Sequence, residues 1–469
     1  MKTIKSARPF GIRDKLGYLL GDFGNDFTFI LSSSFLLKFY TDVMHVNAGV
    51  VGLVMMLARF VDAFTDVTMG RICDKARPGA NGKFKPWILR MCAPVAIASF
   101  LIYQSAFANS AMWFRIAWLI VTYILWGSIF YTSINIPYGS MASTISREPE
   151  DRQSLSTFRT MGSTLAGVVV GAGVPLIAYD TKIVDGVQIA EMNGPRFTLI
   201  AGIFSVLAVL AYFGCYYLTT ERVIPEHRPD EQGGIGRLIL SSLKNRAIVS
   251  IIVASILMLL SQFTLQQMAN YVFPDYYANT TAQSASTIAM MFGMIVAAVL
   301  ARPLAESFGK AEISVVSNVV AAAVCLVLFF VRPANVWVYV GVNVFSWLGL
   351  GVFAMVTWAL ITDVIDYSEL KNGIREDGSI YALYSFARKM GQAAAAGLTG
   401  LFLTMVGYEK VEGIPLAETV KNGIFNVSTL VPAIGFFLLA AVLWFWYPLH
   451  KKQVDENVRL LKKKHGASD

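Results

Sequence analysis

Apolar runs of helix length recur along the whole chain, approximately at 17–39, 49–70, 87–107, 113–139, 156–178, 197–218, 247–273, 285–305, 312–331, 336–362, 380–406 and 422–447. A helix needs about 20 apolar residues to cross the hydrocarbon core, and in lipid each segment must satisfy its own backbone hydrogen bonds. Twelve crossings use roughly 240 residues, which a chain of 469 can supply with short loops and two charged ends. Only 15% of the residues are charged and 55% are hydrophobic, where soluble chains carry about a quarter charged. The composition argues against a water-soluble enzyme and for an all-α polytopic membrane protein with twelve transmembrane helices.

Other classes fall away on residue types. The four cysteines, Cys73, Cys92, Cys215 and Cys325, are too far apart in sequence to read as a zinc or redox pair. The four histidines, His45, His227, His450 and His465, all lie in loops or tails, which leaves no histidine proton relay inside a span. No cofactor is expected. The net charge of +8 reads as a cytoplasmic Lys/Arg bias rather than a nucleic-acid surface. The first run follows Lys2, Lys5, Arg8, Arg13 and Lys15 without a small-residue cleavage site, so it reads as a first membrane helix and not as a removable signal.

With the N-terminus on the cytoplasmic side, 28 of the 39 Lys/Arg fall in cytoplasmic connections and six on the opposite side. That imbalance sets the orientation, with both termini cytoplasmic. The longest polar connection, 219–246, separates six spans from six, giving an N-terminal bundle over 1–218 and a C-terminal bundle with its tail over 247–469. A weak echo joins the halves: RICDKARPGANGK after span two and RPLAESFGK after span eight both mix basic residues with an acid and a glycine turn. Transporters built from repeats hold substrate at the midplane between them.

Ionisable residues inside the hydrocarbon layer are costly and survive where they pair or line a polar cavity. Asp62 and Asp66 in span two are four residues apart, hence about 40° apart around the helix and about 6 Å along it. Two such carboxylates in low dielectric must share a proton or a cation, and Thr65 and Thr132 add the oxygen donors hard cations require. Asp62 and Asp66 are metal ligands if the coupling ion is Na⁺. The alternative is that they neutralise Arg59 one turn away. In span one, Asp26 is a candidate for accepting two vicinal sugar hydroxyls, or it caps or pairs with a neighbouring helix; Asp22 reads as the residue nearer the helix end. Span four mixes Trp126, Tyr131, Asn135 and Tyr138, rings and polar groups suited to a sugar or, for the rings, to simple packing. Fixed cations follow at Arg159, Arg388 and Lys389, with Lys389 on a helix face shared with Tyr381, Ser385 and Gln392. Gly167 and Gly171 read as a close helix crossing.

The chain resembles the glycoside–pentoside–hexuronide:cation symporter family, the melibiose-carrier group of the major facilitator superfamily. The resemblance rests on GYLLGDFGNDF, ARFVDAFTDVTMG, GKFKPWIL, NIPYGS, TDVIDYSELKNGIR and YSFARK, and covers nearly the whole chain. It implies a major facilitator fold of two six-helix halves. It also implies symport of a sugar with H⁺, Na⁺ or Li⁺, the cation at Asp62 and Asp66 helped by Thr65 and Thr132, and the sugar at Asp26, Asn135, Arg159 and Lys389. The chain departs from the melibiose branch at Asn135, where that branch has aspartate, at Asn25, where it has lysine, and at Thr65, where it has asparagine. Asn135, NIPYGS, Trp358 in TWALITD, and FARKMGQ are similar to the glucuronide carriers, and the loss of one site acid with Arg159 and Lys389 kept favours an anionic sugar, a hexuronide such as a glucuronide. A neutral glycoside such as a xyloside, or a non-transporting sensor on the same fold, is the rival. The expected setting is a monomer in a bacterial inner membrane, with lipid, a sugar and a monovalent cation as partners and no nucleic acid. The charged clusters at Arg71 to Lys85, Arg302 to Lys310 and Asp363 to Glu369 are expected to act as cytoplasmic hinges or gates.

Overall fold

The computed structural model describes residues 2–3, 8–76, 78–79, 81–224, 245–372 and 377–464. The expected central connection falls largely on 225–244, outside them. Each of the twelve apolar runs lies on a helix: α1 (Ile12–Asp42), α2 (Ala48–Lys75), α3 (Lys85–Ile102), α4 (Met112–Ile145), α5 (Pro149–Ile177), α6 (Gly194–Leu218), α7 (Arg246–Tyr276), α8 (Thr280–Phe308), α9 (Lys310–Val331), α10 (Val336–Asn372), α11 (Asp377–Met405) and α12 (Glu418–Trp446). An amphipathic α13 (Lys451–Lys464) occupies the expected tail. Among the described residues ten helices are long and apolar enough to cross a membrane. The other two, α1 and α11, have the length at 31 and 29 residues but are diluted by polar side chains, and they carry several of the candidate ligands. Large apolar side chains left exposed along the helices, among them Phe64 and Phe330, suit contact with lipid tails.

The chain forms two compact units, Met1–Asp230 with Gly400–Ala417, and Glu231–Thr399 with Glu418–Asp469. In the first, α1 packs on α5 and α6, α3 on α6, and α2 on α4. A Cβ at Gly162 of α5 would sit 2.4 Å from the Leu19 carbonyl oxygen of α1, so only glycine permits that crossing. At Gly167 a Cβ would meet Ile30 Cδ1 at an ordinary 3.8 Å; the tight approach is therefore five residues earlier than the sequence pattern placed it. In the second unit α10 packs on α8 and α9, and α12 on α7 and α9.

The echo between the halves has a structural counterpart. Gly82 (φ +102°) and Gly309 (φ +105°) each turn the chain just before a lysine near the start of the next helix. In the first unit the acid comes from beyond α6: Glu221 accepts the amides of Lys83, Phe84 and Lys85 at 2.9, 2.8 and 2.7 Å, capping the positive end of α3. In the second, Glu312 accepts the Lys451 amide at 2.9 Å, and Lys310 Nζ pairs with Asp363 Oδ1 at 2.6 Å.

Two short elements escaped the sequence reading besides α13. Residues Lys2–Thr3 pair with Val223–Ile224, strands β1 and β4. Strands β2 (Tyr179–Val184) and β3 (Val187–Met192) form an antiparallel hairpin whose turn residues, Asp185 and Gly186, both have positive φ, as a type I′ turn requires.

Candidate functional site

Asp62 and Asp66 turn from α2 onto α4, and α4 receives them on an unusual stretch of backbone. Leu125–Tyr131 is π-helical, a wider winding that shifts the faces of the helix and is common at functional sites. Out of it Ser128 Oγ donates to Asp62 Oδ1 at 2.5 Å, and at its end Thr132 Oγ1 donates to Asp66 Oδ1 at 2.8 Å. Thr132 also reaches the Gly127 carbonyl at 3.2 Å. Asp62 Oδ2 pairs with Arg59 NH1 at 3.2 Å, and the Arg59 guanidinium lies 5.2 Å from the Phe29 ring centroid. Pairing with Arg59 and a hydroxyl contact thus coexist on one carboxylate. The Thr65 hydroxyl donates to the Val61 and Asp62 carbonyls at 3.3 and 3.1 Å, which leaves its lone pairs as the part able to meet a cation. Ser128 went unread in the sequence because nothing local marks where a π-turn begins.

Polar residues of α1 face α4, α5 and α6. Asp22 is not at a helix end: α1 starts ten residues earlier, at Ile12, and Asp22 is buried. It accepts from Arg159 Nε at 3.0 Å, so Arg159 of α5 pairs with Asp22, the acid the sequence reading set aside. Asp26 is partly buried, with Ser163 of α5 nearby. Asn25 joins three helices, accepting the Tyr212 hydroxyl at 2.8 Å and donating to Asn135 Oδ1 at 3.5 Å.

The aromatic candidates separate by burial. Trp126 is fully buried, its ring 5.7 Å from Tyr123 and 5.5 Å from Tyr131. Tyr138 is buried too and stacks on Tyr18 at 4.6 Å. Tyr131 is partly exposed and lies 5.7 Å from Phe29. In the second unit Trp358 is 40% exposed, with Tyr384 at 5.1 Å and the Arg388 guanidinium 5.8 Å from its centroid. Lys389 is partly buried beside them on α11; Ser385 and Gln392 are partly buried as well, and the Tyr381 side chain lies outside the described residues.

A second polar cluster closes the far end of α1. Lys38, fully buried, pairs with Asp42 at 2.8 Å, and both meet the Tyr408 hydroxyl, which accepts from Lys38 at 2.7 Å and donates to Asp42 at 2.8 Å. Tyr408 belongs to the 400–417 segment, which β3 also holds through Glu191, acceptor of the Gly413 amide at 2.6 Å.

Residues 17–451 match the family described as MFS/sugar transport protein. An uncharacterized symporter of Bacillus subtilis (strain 168) is 28% identical over 98% of both chains. A glucuronide carrier protein homolog of Escherichia coli (strain K12) is 29% identical over 95% of this chain and 94% of its own. Among solved structures, a bacterial homolog of the human lysosomal transporter Spinster, in an inward-facing and occupied conformation, superposes with a TM-score of 0.65 at 12% identity, covering 92% of this chain and 95% of that one.

Proposed function

The chain belongs to the MFS/sugar transport protein family and is a multi-pass membrane transporter, not an enzyme, and from that premise we propose that it is a symporter for an anionic sugar, a hexuronide such as a glucuronide, driven by H⁺ or Na⁺. The observation that carries this reading is the carboxylate pair of α2, each acid met by a hydroxyl of α4 at 2.5 and 2.8 Å. Asp62 and Asp66, with Thr65 and Thr132, take the cation; Asp26, Asn135, Arg159, Tyr131, Lys389 and Trp358 are the residues proposed for the sugar.

Charge accounting supports the pairing of cargoes. The fixed charges at and behind the proposed sugar site balance: Asp26, and Asp22 that holds Arg159, against Arg159 and Lys389. A carboxylate sugar arriving with one monovalent cation adds no net charge to the loaded protein, so neither cargo has to be desolvated uncompensated. Cation binding removes the repulsion between Asp62 and Asp66 and raises sugar affinity, and by linkage the sugar raises cation affinity by the same factor. The two units then alternate access to the occupied site. The 29% identity to a glucuronide carrier homolog agrees with the substrate class. We propose a monomer in a bacterial inner membrane, its termini assigned to the cytoplasm on the Lys/Arg distribution.

Uptake of labelled glucuronide and of a neutral xyloside into membrane vesicles tests the reading. Cation-dependent accumulation of the glucuronide is expected. Xyloside accumulation that glucuronides do not compete against overturns the substrate class, and absence of any accumulation overturns the symporter.

A further inference from the structure

We infer that Asp22 is the positioning residue that gives Arg159 its preference for a sugar carboxylate; the inference rests on the anionic-sugar reading above. Asp22 lies in the third turn of α1 with 8% of its side chain exposed, whereas the Arg159 side chain it holds is 42% exposed. The contact is made through Nε, at 3.0 Å. A guanidinium carries five N–H donors in a rigid fork and can grip a carboxylate either along its Nε edge or end-on through its two terminal nitrogens. With Asp22 on Nε, the end-on grip is the one directed at an incoming ligand.

A further contact bears on the plane. The guanidinium carbon lies 5.4 Å from the Tyr138 ring centroid, with the Tyr18 phenol nearby. Those two rings stack on each other, and the Tyr138 hydroxyl donates to the Tyr18 carbonyl at 2.6 Å while the Tyr18 hydroxyl donates to the Tyr138 carbonyl at 3.4 Å. The face of Arg159 is therefore set by a clamp that joins α1 to α4, and its rotation about that face is set by Asp22. Gly139 of α4 keeps the side open, since even a Cβ there would lie 3.9 Å from Arg159 NH1. A paired buried acid adds little net stability, so a carboxylate at this position is better accounted for by orientation than by folding.

The test compares a phenyl glucuronide with the matching phenyl glucoside as competitors of one labelled sugar, in vesicles carrying wild type, Asp22→Asn or Asp22→Glu. Asparagine keeps size and acceptor but loses the charge-assisted bond. The expected result is a glucuronide-to-glucoside affinity ratio that falls about tenfold in Asp22→Asn and stays within about threefold of wild type in Asp22→Glu. If both affinities move together in Asp22→Asn, or the ratio rises, Asp22 is a packing residue or a competitor for Arg159 and the inference fails while the function stands. If Asp22→Asn does not reach the membrane, a lost ratio in Asp22→Glu overturns the inference and a retained one supports it. A wild-type protein indifferent to glucuronides overturns the anionic-sugar reading and this inference with it.

Discussion

Asp66→Asn removes one unit of charge from the proposed cation site. The Oδ1 that accepts the Thr132 hydroxyl at 2.8 Å has an amide counterpart of the same size, so the contact between α2 and α4 survives. What is lost is the mutual repulsion that a cation relieves. A one-unit pH gradient is worth 1.36 kcal/mol per proton, a tenfold accumulation. A membrane potential of 100 mV is worth about 2.3 kcal/mol per unit charge moved, about 50-fold, but a hexuronide entering with one cation moves no net charge. Wild-type vesicles, acid outside by one unit, are therefore expected to accumulate hexuronide about tenfold, with less than a twofold change when valinomycin imposes a potential. A sodium gradient replaces the proton gradient if Na⁺ is the ion. Asp66→Asn is expected to give a ratio of one while still exchanging internal for external sugar. Full accumulation by this variant refutes coupling through the α2 pair, and strong potential dependence in wild type refutes the one-to-one anionic scheme.

Further outcomes follow from other contacts. Ser128→Ala removes a hydrogen bond that stabilises the ionised Asp62 carboxylate, worth about 1.5–3 kcal/mol, and should lower the proton concentration for half-maximal uptake by roughly 10–150-fold if H⁺ is the ion; an unchanged cation dependence would remove Ser128 from the site. Tyr408→Phe takes one hydroxyl from both Lys38 and Asp42 and should cost about 1–3 kcal/mol, seen as a lower unfolding midpoint in detergent, with Lys38→Met worse because it strands a buried carboxylate. Burial pulls the Glu191 carboxyl up, but Lys182, the Gly413 amide and Lys410 outweigh it and hold it below the usual carboxylate range. Its contribution is thus present above the unfolded value of about 4.3 and fades as pH falls through the lower folded value; amide exchange in β3 and residues 406–417 should quicken there in wild type and not in Glu191→Gln. Gly162→Val should abolish folding into the membrane, since its Cβ alone would sit 2.4 Å from a backbone oxygen; normal levels of this variant would contradict the α1–α5 crossing.

Hydropathy placed each of the twelve runs on a helix because the cost of bare backbone in lipid is paid segment by segment. It missed the hairpin although KIVDGVQIA shows alternation about an Asp-Gly turn, because the segment was read only as a connection. The basic tail hid a helix for the opposite reason: α13 has a helical period but too few apolar residues to stand out beside twelve long apolar runs.

What the sequence by itself determined is therefore what is local: the number and order of the apolar helices, the Lys/Arg asymmetry between loops, and the acids one turn apart on α2. Which partner each charge takes was decided only in three dimensions. Asp22 rather than Asp26 holds Arg159 at a separation of 137 residues, Tyr408 closes on Lys38 across 370, and Ser128 reaches Asp62 out of a π-turn. The periodicity of a helix fixes its faces relative to its own axis. It says nothing of the rotation at which neighbouring helices meet, and that rotation, set by packing at Gly162 and by the extra residue per turn in α4, selects among the polar groups the sequence offers.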